Sequence, residues 1–166
     1  MLQLIYIDTD TIFLNHAQAL WSQLDEMNRE RQLFGIAHES KVAGGWYLGE
    51  AGKNTPHRDY GLNAGVLLLN LKELRNSNFS DERDSIICDY GPDGKNVLVL
   101  GDQDVLNIYH TLQPEKIHIL SCHYNYRHRG HNCGDAGFPI VFHGAGAAKD
   151  SPNEFQHLYN FFGAFL

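Results

Sequence analysis

Two carboxylates one residue apart, Asp8 and Asp10, close an apolar run (Leu4, Ile5, Tyr6, Ile7) and precede a second one (Ile12, Phe13, Leu14). Aspartates are hard oxygen donors. A pair on one side of the chain suits Mg²⁺ or Mn²⁺, above all an ion also held by substrate phosphates. If the first run is a strand, successive side chains point to opposite faces, so Asp8 and Asp10 share a side while Thr9 faces away. The carboxyl end of a strand is also where open α/β sheets gather their ligands. The rival reading is a pair of solvated loop aspartates, and the tripeptide alone leaves both open. An EF-hand is excluded, because the Gly and the terminal Glu of that loop are missing.

Three further stretches carry chemistry. Asn63-Ala64-Gly65 reads as a small-residue turn before the apolar run Val66 to Leu69; it lets backbone approach a ligand, and Asn63 offers both donor and acceptor. Gly101-Asp102-Gln103-Asp104 opens an apolar helical pattern, where Asp102 or Asp104 as helix cap is the structural alternative to a site. His143 ends the run Pro139 to Phe142 and is followed by glycines and Lys149, a cationic, backbone-rich segment suited to pyrophosphate. Cys122, His123, His128, His131 and Cys133 lie close in sequence, but no paired zinc-ligand unit anchors them. A solvent-facing His-rich loop tied by one disulfide is the alternative to zinc. In the Gly-rich segment 41–61, Trp46 and Tyr47 either stack on sugar rings or plug the edge of the core. GPDGK, residues 91–95, is not a phosphate-binding Walker loop, since its spacing and the Ser/Thr are wrong.

The elements that must position these residues alternate between strand and helix. Residues 4–7, 34–37, 66–69, 96–100, 117–120 and 139–142 read as strands, and 15–33, 72–90 and the stretch after Gly101 read as helices. Ala17, Leu20, Trp21, Leu24 and Met27 form an apolar stripe, with Asn15 as its cap, and residues 153–162 read as a short amphipathic helix. This is an α/β pattern for one domain of 166 residues, large enough for a real core. Thirteen Lys and Arg against 20 Asp and Glu give a net charge of −7, which argues against nucleic acid or an anionic membrane as partner. No apolar run approaches the ~18 residues of a membrane span, and no signal-type segment follows Met1. Three cysteines are too few for a disulfide scaffold; Cys122 and Cys133 can form one bridge, leaving Cys88 as a buried thiol. The first strand reads as central and buried, yet nothing upstream pairs or covers it. The expectation is that an amino-terminal portion lies outside this sequence.

Taken in order, a strand ending in DTD, then LNAGVLLLN, then GDQDVLN, then HGAGAAK resembles glycosyltransferase family 8, the retaining nucleotide-sugar transferases. Within it the chain is similar to the animal glucoside xylosyltransferases, through IDTDTIFL, Gly45-Trp46-Tyr47, GVLLLNL, GDQDVLNI, PEKI (114–117) and CHYNYR (122–127). The resemblance implies a GT-A-type fold with a mixed, mostly parallel central sheet, truncated at the amino terminus so that residues 1–166 are the carboxyl-terminal part of the catalytic domain. It implies Mn²⁺, with Mg²⁺ as alternative, held by Asp8, Asp10 and His143. Donor contacts would come from Asp8, Thr9, Asp10, Asn63, Ala64, Gly65, Asp102, Gln103, Gly146 and Lys149. Asp102 would hold sugar hydroxyls and Gln103 would face the anomeric carbon as catalytic residues. The Pro-Trp that often continues HxxGxxK is replaced by Asp150-Ser151. The implied partners are a UDP-sugar donor, most readily UDP-xylose, and a glucose-terminated O-glycan on a secreted protein, in the Golgi or ER lumen. A transferase using UDP-glucose or UDP-galactose is the enzymatic alternative; a non-catalytic remnant or nucleotide-sugar-binding module is the other.

Overall fold

The computed structural model describes residues 2–39, 56, 60–91, 98–127, 138–144, 157 and 160. Outside them lie Trp46 and Tyr47, residues 92–97, His128, His131, Cys133, Gly146 and Lys149. Six strands are described: β1 (Gln3–Ile7), β2 (Thr11–Phe13), β3 (Phe34–His38), β4 (Leu62–Asn70), β5 (Ile117–Leu120) and β6 (Val141–His143). The α-helices are α1 (Ala17–Glu26), α2 (Leu71–Asn76), α3 (Phe79–Tyr90) and α4 (Asp102–Leu112).

The main sheet has the order β1-β4-β3-β5, and β2 pairs with β6 in a separate two-stranded ribbon. The sheet is mixed, as expected, but its parallel share is smaller than expected. Only β3–β5 is parallel; β1–β4 and β3–β4 are antiparallel. The reason lies in β4, which runs opposite to both its neighbours and so makes two antiparallel ladders by itself. β1 is correspondingly not central among the described strands. Its neighbour β4 covers one edge, and Leu4 and Tyr6 are exposed.

All nine residues of LNAGVLLLN are strand, so Asn63-Ala64-Gly65 is no turn but lies in the first half of β4. The ladder with β3 breaks at this point. Ile36 pairs with Leu67, while the next residue, Ala37, pairs with Asn63. Ala64, Gly65 and Val66 therefore bulge opposite a single step of β3, and a bulge re-aims side chains next to it.

Consecutive β4 residues point to opposite faces and feed two cores. Leu67 joins Phe34, Ile36, Leu106, Ile108 and Tyr109 under α3 and α4. Val66 and Leu68 join Leu20, Leu24, Met27 and Val141 under α1. Phe79 of α3 packs edge-on against Phe34 and Tyr109, with centroids 4.8 and 5.0 Å apart. The α1 stripe is narrower than the apolar spacing predicts. Leu20, Leu24 and Met27 are buried, whereas Ala17 and Trp21 face solvent. Asn15 is not its cap: His16 holds that position, and the Asn15 Oδ1 accepts the His16 backbone N–H instead.

Two smaller expectations change. Asp102 and Asp104 do not cap α4; Gly101, with φ +60°, holds the N-cap position. The buried Asp104 reaches back to accept the Leu100 N–H at 2.6 Å, and Asp102 accepts the Gln103 N–H at 2.9 Å. Cys88 is exposed on α3, not buried. Cys122 is disulfide-bonded. Of the tail expected to be helical, His157 and Asn160 are described, and both are helical.

Candidate active site

The ribbon explains how residues more than 130 positions apart meet. Thr11 of β2 pairs with His143 of β6, and the Gly144 N–H donates to the Asp10 carbonyl at 2.8 Å. On the other side, the Asp8 N–H donates to the Gly65 carbonyl at 2.9 Å, extending the β1–β4 ladder into the DTD turn. The turn is thus pinned to both sheets at once. Thr11 closes it by donating its hydroxyl to the Asp8 carbonyl at 2.8 Å.

The consequence is a cluster. His143 Nε2 stands 3.5 Å from Asp8 Oδ2 and 3.4 Å from Asp10 Oδ1. The three ligand atoms all lie within 4.8 Å of one another, and no other group of three or more His, Cys, Asp or Glu side chains converges this way among the described residues. Two carboxylate oxygens and one imidazole nitrogen are a donor set that suits Mn²⁺ or Mg²⁺, so the residues present fit a divalent ion. Tyr6 donates to Asp8 Oδ1 at 2.8 Å, which turns Oδ2 toward His143. That hydrogen bond to Asp8, more than any other effect, raises the Tyr6 pKa above its ordinary value.

Gly65 makes room for the ring. A Cβ built on it would stand 2.0 Å from His143 Cε1 and 2.4 Å from Nδ1, which no real side chain tolerates. Glycine is therefore required here by close approach.

His143 is buried, and burial is the largest influence on it, holding its pKa below the ordinary 6.5; Asp10 and Asp8 pull the other way, and Arg127 lowers it further. The ring is consequently neutral in the folded, metal-free chain at neutral pH. The unfolded chain binds more protons once pH falls below about 6.5, so stability is lost on acidification through that value. His118 is lowered by its own burial and adds the same sign. In a His118→Gln chain with EDTA, the melting temperature is still expected to drop between about pH 7.5 and about pH 5.5, though by less than in the wild type. A flat midpoint in this window would contradict a buried neutral His143.

Behind the cluster lies a buried amide network that sequence reading only half anticipated. Asn63 and Gln103 are in it. Asn63 Nδ2 donates to Glu39 Oε2 at 2.8 Å and to Gln103 Oε1 at 3.2 Å. Gln103 Nε2 donates to Glu39 Oε2 at 3.1 Å, and its Oε1 also accepts the Ala64 N–H at 3.3 Å. Asp102, by contrast, is exposed at the head of α4, near enough for its charge to act on Tyr6. Thr9 is exposed in the turn that follows β1, so strand alternation does not govern its direction.

Four participants were missed: Glu39, Asn107, Asn125 and Arg127. Glu39 is 2% exposed and ion-paired with Arg127. Asn107 braces β4 on α4 by accepting the Leu62 N–H at 2.7 Å and donating to the Leu62 carbonyl at 3.1 Å. Asn125 connects Asn63 to His143. The available signal was position, since Glu39 directly follows a strand and Asn125 follows the strand-and-turn segment IHILSCHY. Zinc finds no support in the described part of the His-rich segment, where Cys122 is engaged in a disulfide and the His123 Nδ1 faces Ser121 at 2.9 Å.

Comparison with known proteins agrees with this geometry. Mouse glucoside xylosyltransferase 2 is 30% identical over 172 aligned residues, covering 94% of this chain and 38% of the relative. The chain thus spans about a third of the length of the curated relatives it matches. Among solved structures, apo mouse xyloside xylosyltransferase 1 superposes with a TM-score of 0.64 at 22% identity, over 89% of this chain and 59% of that one. The galactosyltransferase LgtC, solved with donor and acceptor sugar analogues, superposes with a TM-score of 0.69 at 19% identity, over 99% and 61%. The fold is accordingly GT-A-like. The model of glycosyl transferase family 8 matches residues 1–149, and with the DTD turn, the NAG strand, the DQD helix and His143 arranged around one cluster, the chain belongs to that family.

Proposed function

We propose that the chain carries the donor site of a retaining, divalent-metal-dependent glycosyltransferase that moves xylose from UDP-xylose to a glucose-terminated O-glycan of a secreted protein. The observation that carries this reading is the convergence of Asp8, Asp10 and His143 beside the Asn63–Gln103 network. The names of the similar proteins, glucoside xylosyltransferases, support xylose as the sugar. In this reading residues 1–166 are one catalytic unit, the carboxyl-terminal part of a GT-A domain, and work in the Golgi or ER lumen. The disulfide at Cys122 suits such an oxidising compartment. No helix among the described residues is long and apolar enough to cross a membrane.

Asp8, Asp10 and His143 would hold the ion, Mn²⁺ or Mg²⁺, which when bound neutralises charge on the leaving diphosphate. Lys149 and Gly146, outside the described residues, would contact the same diphosphate. Asn63, Ala64 and Gly65 orient the donor sugar, and Asp102 holds its hydroxyls from the open side. Gln103 faces the reacting carbon but serves poorly as nucleophile. An amide oxygen has two lone pairs, and here both accept hydrogen bonds, from Asn63 and from the Ala64 N–H. We therefore favour same-face displacement, with a phosphate oxygen of the leaving group taking the acceptor proton, over a covalent enzyme intermediate.

The test is turnover of UDP-xylose with a glucose-terminated acceptor in Mn²⁺ and in EDTA, followed by mass spectrometry of the quenched enzyme. Xylosyl transfer in Mn²⁺ alone, with no adduct on the protein, is expected. An acid-stable glycosyl adduct on Gln103 or Asp102 would refute same-face displacement, and metal-independent transfer would refute the role of the cluster.

A further inference from the structure

An imidazole ligates a metal only through a nitrogen that carries a lone pair, and the hydrogen bond made by the other nitrogen decides which one that is. Starting from Arg127, the structure settles the matter by a chain of one-way constraints. Arg127 pairs with Glu39 Oε1, so Glu39 is a carboxylate and can only accept. Its Oε2 therefore takes a proton donor from Asn63, and Nδ2 supplies it at 2.8 Å. Asn63 must then present Oδ1 on its other side. This oxygen accepts the Gly65 N–H at 3.0 Å and Asn125 Nδ2 at 2.8 Å. Asn125 is oriented in turn, leaving its own Oδ1 to face His143 Nδ1 at 2.9 Å. An oxygen that can only accept calls for a proton on Nδ1, and Nε2 is left with its lone pair toward Asp8 and Asp10.

We propose that Glu39, clamped by Arg127, is a positioning residue that places the His143 proton on Nδ1 through Asn63 and Asn125 and so presents Nε2 to the metal. The proposal deepens the metal reading of the site and rests on it. The relay is set against a local preference. In the metal-free chain, a proton on Nε2 would be attracted to the carboxylates of Asp8 and Asp10, 3.4 to 3.5 Å away. Without Asn125 to hold Nδ1–H, the ring would take that alternative and turn its lone pair away from the ion. Gln103 belongs to the same arrangement, because its Nε2 shares Glu39 Oε2 and its Oε1 takes the remaining Asn63 N–H. No hydroxyl, whose proton could rotate, interrupts the path from Glu39 to His143.

The tautomer can be read directly by ¹⁵N NMR of the metal-free 166-residue chain, with the His143 signals assigned by their loss in His143→Gln. A proton on Nδ1 is expected in the wild type. Asn125→Leu removes the acceptor, so the proton is expected to move to Nε2 and the affinity for Mn²⁺ to fall about 10- to 100-fold, the usual cost of losing an outer-shell partner. Glu39→Gln keeps the side-chain size but presents either an oxygen or an amine to Asn63, and both tautomers are expected to appear. A role confined to stability would weaken both variants without moving the proton. Should either variant fail to fold, the wild-type spectrum still decides, since a proton on Nε2 overturns the relay. Wild-type Mn²⁺ affinity in folded Asn125→Leu overturns it as well. A chain with Nδ1–H that binds no divalent ion refutes the metal reading instead, and leaves the relay with nothing to present.

Discussion

Asp10→Ala is expected to abolish the metal-dependent binding of UDP while leaving the fold intact. The carboxylate is partly exposed, and the main chain of Asp10 keeps its hydrogen bond to Gly144 whatever the side chain. Removing one of three ligands should therefore act on the ion alone. The measurement is thermal melting with UDP plus Mn²⁺ against EDTA. A ligand at ~100 times its dissociation constant stabilises by about 2.7 kcal/mol, and each kcal/mol moves the midpoint of a domain this size by about 2–4 °C. The wild type should gain roughly 5–10 °C on that basis, and Asp10→Ala none, from a similar starting midpoint. A full Mn²⁺-dependent shift in the variant would show that the cluster is not the metal site.

The second large effect is expected at a residue that gives the ion no ligand atom. Gly65→Ala places a methyl 2.0 Å from Cε1 of His143. Neither partner can yield cheaply. The Gly65 carbonyl holds the Asp8 N–H, and its N–H is held by Asn63, so the strand is fixed on both sides. The ring is held by Asn125, and its main chain by Tyr126 and the β2 ladder. Overpacking of this kind costs about 1–3 kcal/mol, so the metal-free midpoint should fall by several degrees, and the ring, once displaced, should cease to respond to Mn²⁺. Gly35→Ala is the control. The three atoms nearest its Cβ would all belong to the Leu68 side chain, at 3.0 to 3.2 Å, and none to a metal-ligating residue. It should lose stability yet keep the metal response. If Gly65→Ala binds Mn²⁺ as the wild type does, the close approach does not govern the site.

Some of this was determined by the sequence alone. Apolar runs bounded by polar residues located five of the six strands, because burial of one or both strand faces writes its period directly into the chain. Polar residues beside those runs and at the start of the DQD helix pattern, taken with the order of the four motifs, pointed to Asp8, Asp10, Asn63, Gln103 and His143. Chemistry of residue type was sufficient to pick hard oxygen donors for a hard ion.

Tertiary structure decided the rest. Strand direction is set by which chain comes to lie beside which, and nothing in LNAGVLLLN announces that it runs antiparallel to both neighbours. The same run hid a bulge, because the extra residues of β4 are defined only relative to β3. Trp21 fits an apolar stripe at helical spacing, but the width of that stripe depends on how much sheet α1 covers. Glu39 read as the polar end of a strand, and became a buried ion-paired acceptor only because Arg127, 88 positions later, folds against it. Asn125 offered only its position after a strand-and-turn segment, within a Tyr- and His-rich stretch. Its role is to join Asn63 to His143, and a residue whose work is to orient two others from distant parts of the chain can be identified only once the fold has brought them together.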